Sequence, residues 1–438
     1  MSAFRVLAAA LFAVSSVQVA TAASAQIFAP PSTNPIAQSG NYTGFSNSTL
    51  KPNNHHIKKG KVFDRIIQVW MENTDFSSAA STAAFQSLAA QGILLTNFNG
   101  VTHPSEPNYI AAMGGDHFGL HDDNMYHIPS NITTVVDLLE DEDVSWSAYQ
   151  ENMPEVGYFG FLHASKNYIS PGLAPYNYYV RKHNPPIIFD AIAGEPERVS
   201  RIRNFNDFAN DVVNGTLSQW IFVTPNMVND AHDTSIDFGA AFLEYWLMPL
   251  LTDPRVNGEK TLILLTFDEN ETYGEQNTIY TVALGTAIPL ELRGTTDDTF
   301  YTHYSTISTV QANWNLKTLG RQDANETVAS VFDFVAKKVG HKNKAISPAQ
   351  IPLLNLTGHY PGPLNPSMYQ NFAAPNPDAR SPTGRGVLYR EGVDKHLTLE
   401  HLAAPVNLTA KNTTTPWQMN VKSTSLKGMI PCTNAACS

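Results

Sequence analysis

The stretch TLILLTFDEN, residues 261–270, is apolar until it ends in two acids. An apolar run of that length reads as a strand buried on both faces, and its acids fall where the chain leaves the sheet. The same arrangement recurs. RIIQVWM (65–71) is followed by Glu72 and Asn73, and QWIFVTPN (219–226) opens a polar run from Asn226 to Asp233. SWSAYQEN (145–152) and TIYTVALG (278–285) are two further predicted strands. Helical patterns separate them: SSAASTAAFQSLAAQG (77–92) closed by Gly92, TTVVDLLEDED (133–143), FGAAFLEYWLMPLL (238–251), and YSTISTVQANWNLKTLG (304–320) closed by Gly320. This alternation predicts an α/β fold, a mostly parallel central sheet with helices on both faces. Such sheets bind ligands at the carboxyl ends of their strands, where Glu72, Asp268 and Glu269 sit.

The chain of 438 residues divides into four expected regions. Residues 1–25 carry Arg5, a short apolar run and small-residue cleavage sites after Ala22 or Ala25, and read as a signal peptide. Residues 26–61 form an extended N-terminal segment, 62–340 the catalytic domain, and 341–438, rich in Pro, Asn and Thr, an irregular tail packed on it. Sequons at Asn41, Asn47, Asn131, Asn214, Asn270, Asn325, Asn355, Asn407 and Asn412 fit a secreted glycoprotein of the cell exterior or wall. Cys432 and Cys437 are expected to pair there, and so few cysteines exclude a Cys-based metal site. A net charge of −11 argues against a nucleic-acid partner, and after the leader no run is long enough for stable membrane insertion. The sequence sets no oligomeric state.

Three acids at one sheet edge repel one another, and the usual physical remedy is a divalent cation; Asn73 adds a neutral oxygen. The alternative is that each acid caps the next helix. A hydroxyl near such a cation loses its proton more easily. THPSEPNY (102–109) offers Thr102 and Ser105, although by itself it reads as an ordinary polar turn. His232 in NDAHD and His303 in FYTHYS each lie between a strand region and a helix, placed to bind a phosphoryl oxygen or protonate a leaving group.

QVWMENTDF, THPSEPNYIAAMGGD, NDAHD, LTFDENE and the HYSTISTVQANWNL helix together resemble the phosphoesterase family of acid phosphatases and phospholipases C, in the alkaline phosphatase superfamily. The resemblance covers roughly residues 62–340 and is greatest to secreted fungal acid phosphatases. SEPNY is also similar to the TFPNHY nucleophile segment of nucleotide pyrophosphatases, which implies Ser105 rather than Thr102 as the attacking group. Carried over by residue, the resemblance implies one divalent metal held by Glu72, Asn73, Ser105, Asp268 and Glu269. It implies His232 and His303 at the phosphate or leaving group, and Asp233 orienting His232. The expected activity is phosphomonoester hydrolysis of small phosphorylated substrates through a phosphoserine. The alternatives are a phospholipase C-type phosphodiesterase and a non-catalytic surface glycoprotein on the same scaffold.

Overall fold

A computed structural model describes residues 57–170, 172–347, 361–365, 369–393 and 395. The expected signal peptide, most of the N-terminal segment, both cysteines and the sequons at Asn41, Asn47, Asn355, Asn407 and Asn412 lie outside the described residues.

Eight strands form the central sheet: β1 Arg65–Met71, β2 Ile93–Leu95, β3 Trp146–Gln150, β4 Ile202–Asn204, β5 Trp220–Thr224, β6 Thr261–Phe267, β7 Thr281–Leu284 and β8 Thr295–Asp297. Their order is β8-β2-β7-β6-β1-β5-β3-β4. Only β7 runs against its neighbours β6 and β2; the remaining pairings are parallel. The five strands β6-β1-β5-β3-β4 thus end on one edge. The mostly parallel α/β fold expected from the sequence is the observed one.

Helices of seven or more residues are α1 Ala83–Ala89, α2 Ser105–Gly114, α3 Phe205–Asn214, α4 Ile236–Tyr245, α5 His303–Trp314 and α6 Asp333–Val339. Successive side chains of a strand point to opposite faces. Trp70 packs on Tyr109 of α2 and His303 of α5. Met71, one residue on, reaches Gly239 of α4 so closely that a Cβ there would meet its methyl at 2.8 Å. Helices therefore cover both faces, and β1, β5 and β6 are apolar because neither face meets water.

Several boundaries differ from the sequence expectation. The helix expected over 77–92 is two, Phe76–Ala80 and Ala83–Ala89, because Thr82 caps the second by accepting from the Phe85 N–H. The pattern at 238–251 divides at Trp246. The helix expected to close at Gly320 ends at Asn315, in a left-handed conformation. The strands β2, β4 and β8, three residues each, were too short to register as periodicity. Described parts of the tail lie on the domain: Leu364 is fully buried, and the Leu388 N–H donates to the Thr318 carbonyl at 2.9 Å.

Candidate active site

β1 and β6 pair in parallel with Met71 opposite Phe267, so the residues that follow each strand emerge side by side. The backbone sews them together: Asp268 N donates to Met71 O at 3.1 Å, and Thr74 N to Glu269 O at 3.3 Å. On the other flank of β1, the loop after β5 returns so that Glu72 N donates to Asp230 O at 2.9 Å. Neighbouring strand ends thus bring Glu72, Asn73, Asp230, Asp268 and Glu269 together. Asn73 makes the turn with φ +23°, a region non-glycine residues rarely enter, while its N–H donates to Asp268 Oδ1 at 3.1 Å.

Ser105 is not in a turn. It is the first residue of α2, whose start is held by Asn108. Asn108 Oδ1 accepts from the N–H groups of Val101 and Thr102 at 2.7 and 3.2 Å, and its Nδ2 donates to the Thr102 carbonyl at 2.8 Å. One turn of the motif thereby clamps the loop that precedes it. Ser105 Oγ then lies 3.1 Å from Glu72 Oε2 and 3.3 Å from Asn73 Oδ1. Thr102 is fully buried, and its hydroxyl lies 3.4 Å from the His103 carbonyl. The fold places Ser105, not Thr102, beside the acids.

The electrostatics set this edge apart. Burial, then the Glu72 charge, raises the Asp268 carboxyl well above the usual range; burial, then Asp268, does the same to Glu269, and burial, then Glu72, to Asp230. Burial also opposes the Glu72 charge, but His183 at 3.0 Å together with Lys182 and His232 outweighs it, and the carboxyl is held low. The Tyr109 hydroxyl donates to Glu72 Oε1 as well. Glu269 accepts from Asn73 Nδ2 at 3.1 Å and Asn108 Nδ2 at 3.3 Å, with His103 Nδ1 2.8 Å away. Asp268 Oδ2 is buried and makes no hydrogen bond.

Among the described residues, no group of three or more His, Cys, Asp or Glu side chains is arranged to hold a metal ion. The donor chemistry nonetheless suits a hard divalent cation: three buried carboxylates, one with an orphaned oxygen, together with the Asn73 amide and Ser105 hydroxyl oxygens.

His232 lies at the rim, about a quarter exposed. Asp233 Oδ1 is 2.7 Å from its Nδ1, and Asp233 Oδ2 accepts from the Tyr176 hydroxyl at 2.6 Å. With Nδ1 so engaged, Nε2 faces inward. His303 departs from the expectation that it meets the phosphate. Its ring is fully buried, stacked on Trp70 at 4.4 Å, with Nε2 donating to the Asp268 carbonyl at 2.6 Å. It supports the Asp268 loop from beneath.

The short 3-10 turn Arg181–His183 supplies groups that sequence reasoning missed. Lys182 Nζ lies 3.3 Å from Ser105 Oγ, and His183 contacts both Glu72 and Asp230. No periodicity marks RKHN, and the β6 and β1 acids it serves are far away in sequence. Asp230 and Tyr109 lay inside quoted motifs and could have been assigned from them.

The chain matches the Phosphoesterase family over residues 37–317 and belongs to that family. It is 46% identical over 335 residues to an acid phosphatase of Aspergillus fumigatus, covering 75% of this chain and 72% of that one. It is 43% identical over 330 residues to a phosphate-repressible acid phosphatase of Penicillium chrysogenum, covering 75% of this chain and 76% of that one. A solved alkaline phosphatase superfamily protein from Vibrio parahaemolyticus aligns over 62% of this chain and 71% of its own, at 10% identity and a TM-score of 0.37.

Proposed function

We propose that this protein is a secreted acid phosphatase that hydrolyses phosphate monoesters through Ser105. The observation that carries the reading is the seat of Ser105 Oγ, at a helix start and 3.1 Å from Glu72, within a cluster of buried acids. Relatives named acid phosphatase at 43–46% identity support the substrate class.

Ser105 Oγ forms the bond to phosphorus while the bond to the leaving alcohol oxygen breaks in line. The Ser105 proton passes to Glu72 Oε2, 3.1 Å away. His232 Nε2 gives a proton to the departing oxygen, with Asp233 fixing the opposite ring nitrogen. The same imidazole then takes a proton from the water that attacks phosphoserine; the bond from phosphorus to Ser105 Oγ breaks, Oγ recovers its proton from Glu72, and inorganic phosphate leaves. Glu72, Asn73, Ser105, Asp268 and Glu269 would hold one divalent metal. When bound, it would lower the serine hydroxyl pKa and neutralise charge on phosphoryl oxygens. The acid phosphatase names of the relatives support an optimum below neutrality.

Glycosylation belongs to the same reading. Asn214 and Asn325 are exposed, whereas Asn270 is buried with its Nδ2 donating to the Thr272 carbonyl at 2.9 Å, so the first two are the sites expected to carry glycan. Among the described residues no helix is long and apolar enough to cross a membrane.

The test is a panel of a phosphomonoester, a bis-substituted phosphodiester and phosphatidylcholine, across pH and with or without chelator. The monoester should turn over fastest, best below neutrality, and lose its rate on chelation. Preferred turnover of phosphatidylcholine, or a monoester rate that climbs steadily into alkaline pH, contradicts the reading.

A further inference from the structure

Three consecutive side chains on the turn Arg181–His183 leave it in different directions. Arg181 Nη2 donates to the carbonyls of Tyr126 and Ile187 at 3.1 and 3.0 Å. His183 lies against Glu72 and Asp230. Lys182 Nζ reaches the nucleophile: it donates to Ser105 Oγ at 3.3 Å and to Asp123 Oδ2 at 3.0 Å, and lies 3.4 Å from His232 Nε2.

We propose that Lys182 is a catalytic residue whose ammonium binds the phosphoryl group under attack and favours doubly charged monoesters over singly charged diesters. The proposal rests on the reading of Ser105 as a phosphatase nucleophile. Its first support is position. A phosphorus poised for attack lies about 3–3.5 Å from Ser105 Oγ. An ammonium already touching that oxygen is then within reach of an oxygen on phosphorus. The same ammonium adjoins His232 Nε2, on the leaving-group side. It therefore stands beside the line from attacking to leaving oxygen, where the equatorial oxygens carry the transition-state charge.

The second support is charge. Glu72, Asp230, Asp268 and Glu269 are buried together and repel an incoming phosphate. Lys182 offsets that repulsion at the atom where bond formation begins. Its side chain is only 11% exposed, so solvent screens it little. Asp123 pairs with it at 3.0 Å. The third support is rigidity. Asp123 Oδ1 accepts from the Glu106 N–H at 2.9 Å while Oδ2 holds Lys182, so the lysine is tied to the helix that carries Ser105. Asp123 is a positioning residue in this arrangement.

Lys182→Met and Lys182→Arg in the full chain test the idea. Inorganic phosphate binding is measured by calorimetry, alongside kcat/KM for p-nitrophenyl phosphate and bis(p-nitrophenyl) phosphate. Lys182→Met should weaken phosphate binding about tenfold or more and cut monoester kcat/KM about 100-fold, with a far smaller loss on the diester. Lys182→Arg should keep phosphate binding within a few fold, roughly, because the charge remains. Unchanged phosphate binding in Lys182→Met, or equal losses on both esters, overturns the proposal. Should Lys182→Met fail to fold, Lys182→Gln carries the same expectations. A parent protein that binds phosphate but hydrolyses neither ester overturns the phosphatase reading, and the phosphate titration of the variants still decides the role of Lys182.

Discussion

Two buried charge clusters lie beyond strand ends of the same sheet, and they are built differently. At the end of β4, Arg203 lies 3.0 Å from Asp211 and 3.6 Å from Asp207. Asp211 also accepts from the hydroxyls of Tyr149 and Thr216, both at 2.8 Å, and Asp207 closes a capping box with Asn204. Each acid there has donors matched to it. At the ends of β1 and β6, Glu72, Asp230, Asp268 and Glu269 crowd together; His183 meets Glu72 and Asp230, His103 meets Glu269, and Asp268 Oδ2 and Asp230 Oδ2 make no hydrogen bond. A satisfied buried acid holds a fold together. Buried acids with oxygens left over weaken it and are characteristic of a binding site.

Parallel Asp→Asn substitutions should separate the two clusters by sign. Asp268→Asn is expected to lower monoester turnover at least about 100-fold and to weaken metal binding. In metal-free protein it should leave stability unchanged or raise it, because it removes a charge repelled by Glu72. Asp211→Asn should leave turnover nearly intact yet cost about 3 kcal/mol, since it strips Arg203 of its nearest carboxylate. Urea unfolding and steady-state rates on both variants check this pair, and losses of stability of equal size would erase the distinction.

The two histidines sharpen the comparison within the site. His232→Gln should slow a monoester with a poor leaving group about 100-fold and an activated aryl ester much less, since only the former needs a proton. Changing the buried His303 should affect both esters alike, because it acts through the Asp268 carbonyl. A leaving-group dependence in a His303 variant would return that residue to the reacting centre.

A smaller effect is expected from His127, buried beside Asp190 at 3.3 Å. Burial lowers its pKa from 6.5 to about 4. The folded form thus resists protonation that the unfolded chain accepts. Its contribution is fully present above the unfolded pKa and is lost as pH falls from about 6.5 toward 4, where it approaches its limit of roughly 3 kcal/mol. His127→Gln should flatten the dependence of the melting temperature on pH across that window. An unchanged slope would contradict it.

The sheet and half of the site were legible because long buried strands advertise themselves and end at acids. Arg65–Met71 has the expected bounds, Thr261–Phe267 stops short of the expected residue 270, and their register alone explains why Glu72 and Asp268 meet. Short edge strands such as Ile202–Asn204 carry too few residues to show a period. Lys182 and His183 were illegible for another reason. They arrive on an irregular segment whose place is set by tertiary packing, with Arg181 anchored to Tyr126 and Ile187 carbonyls. The burial of His303 was not legible, because the neighbours that bury it, Trp70 and Phe98, are remote in sequence.

Turnover of a phosphomonoester by Ser105→Ala and Thr102→Ala, each shown to be folded, tests the central claim most directly. Both hydroxyls lie in one motif, but Ser105 touches Glu72 and Lys182 while Thr102 lies beside the His103 carbonyl. Ser105→Ala should lose turnover by several orders of magnitude, roughly as nucleophile removal does in serine hydrolases, and Thr102→Ala should retain most of it. A folded Ser105→Ala protein that turns over like its parent, beside an inactive Thr102→Ala, would contradict the account.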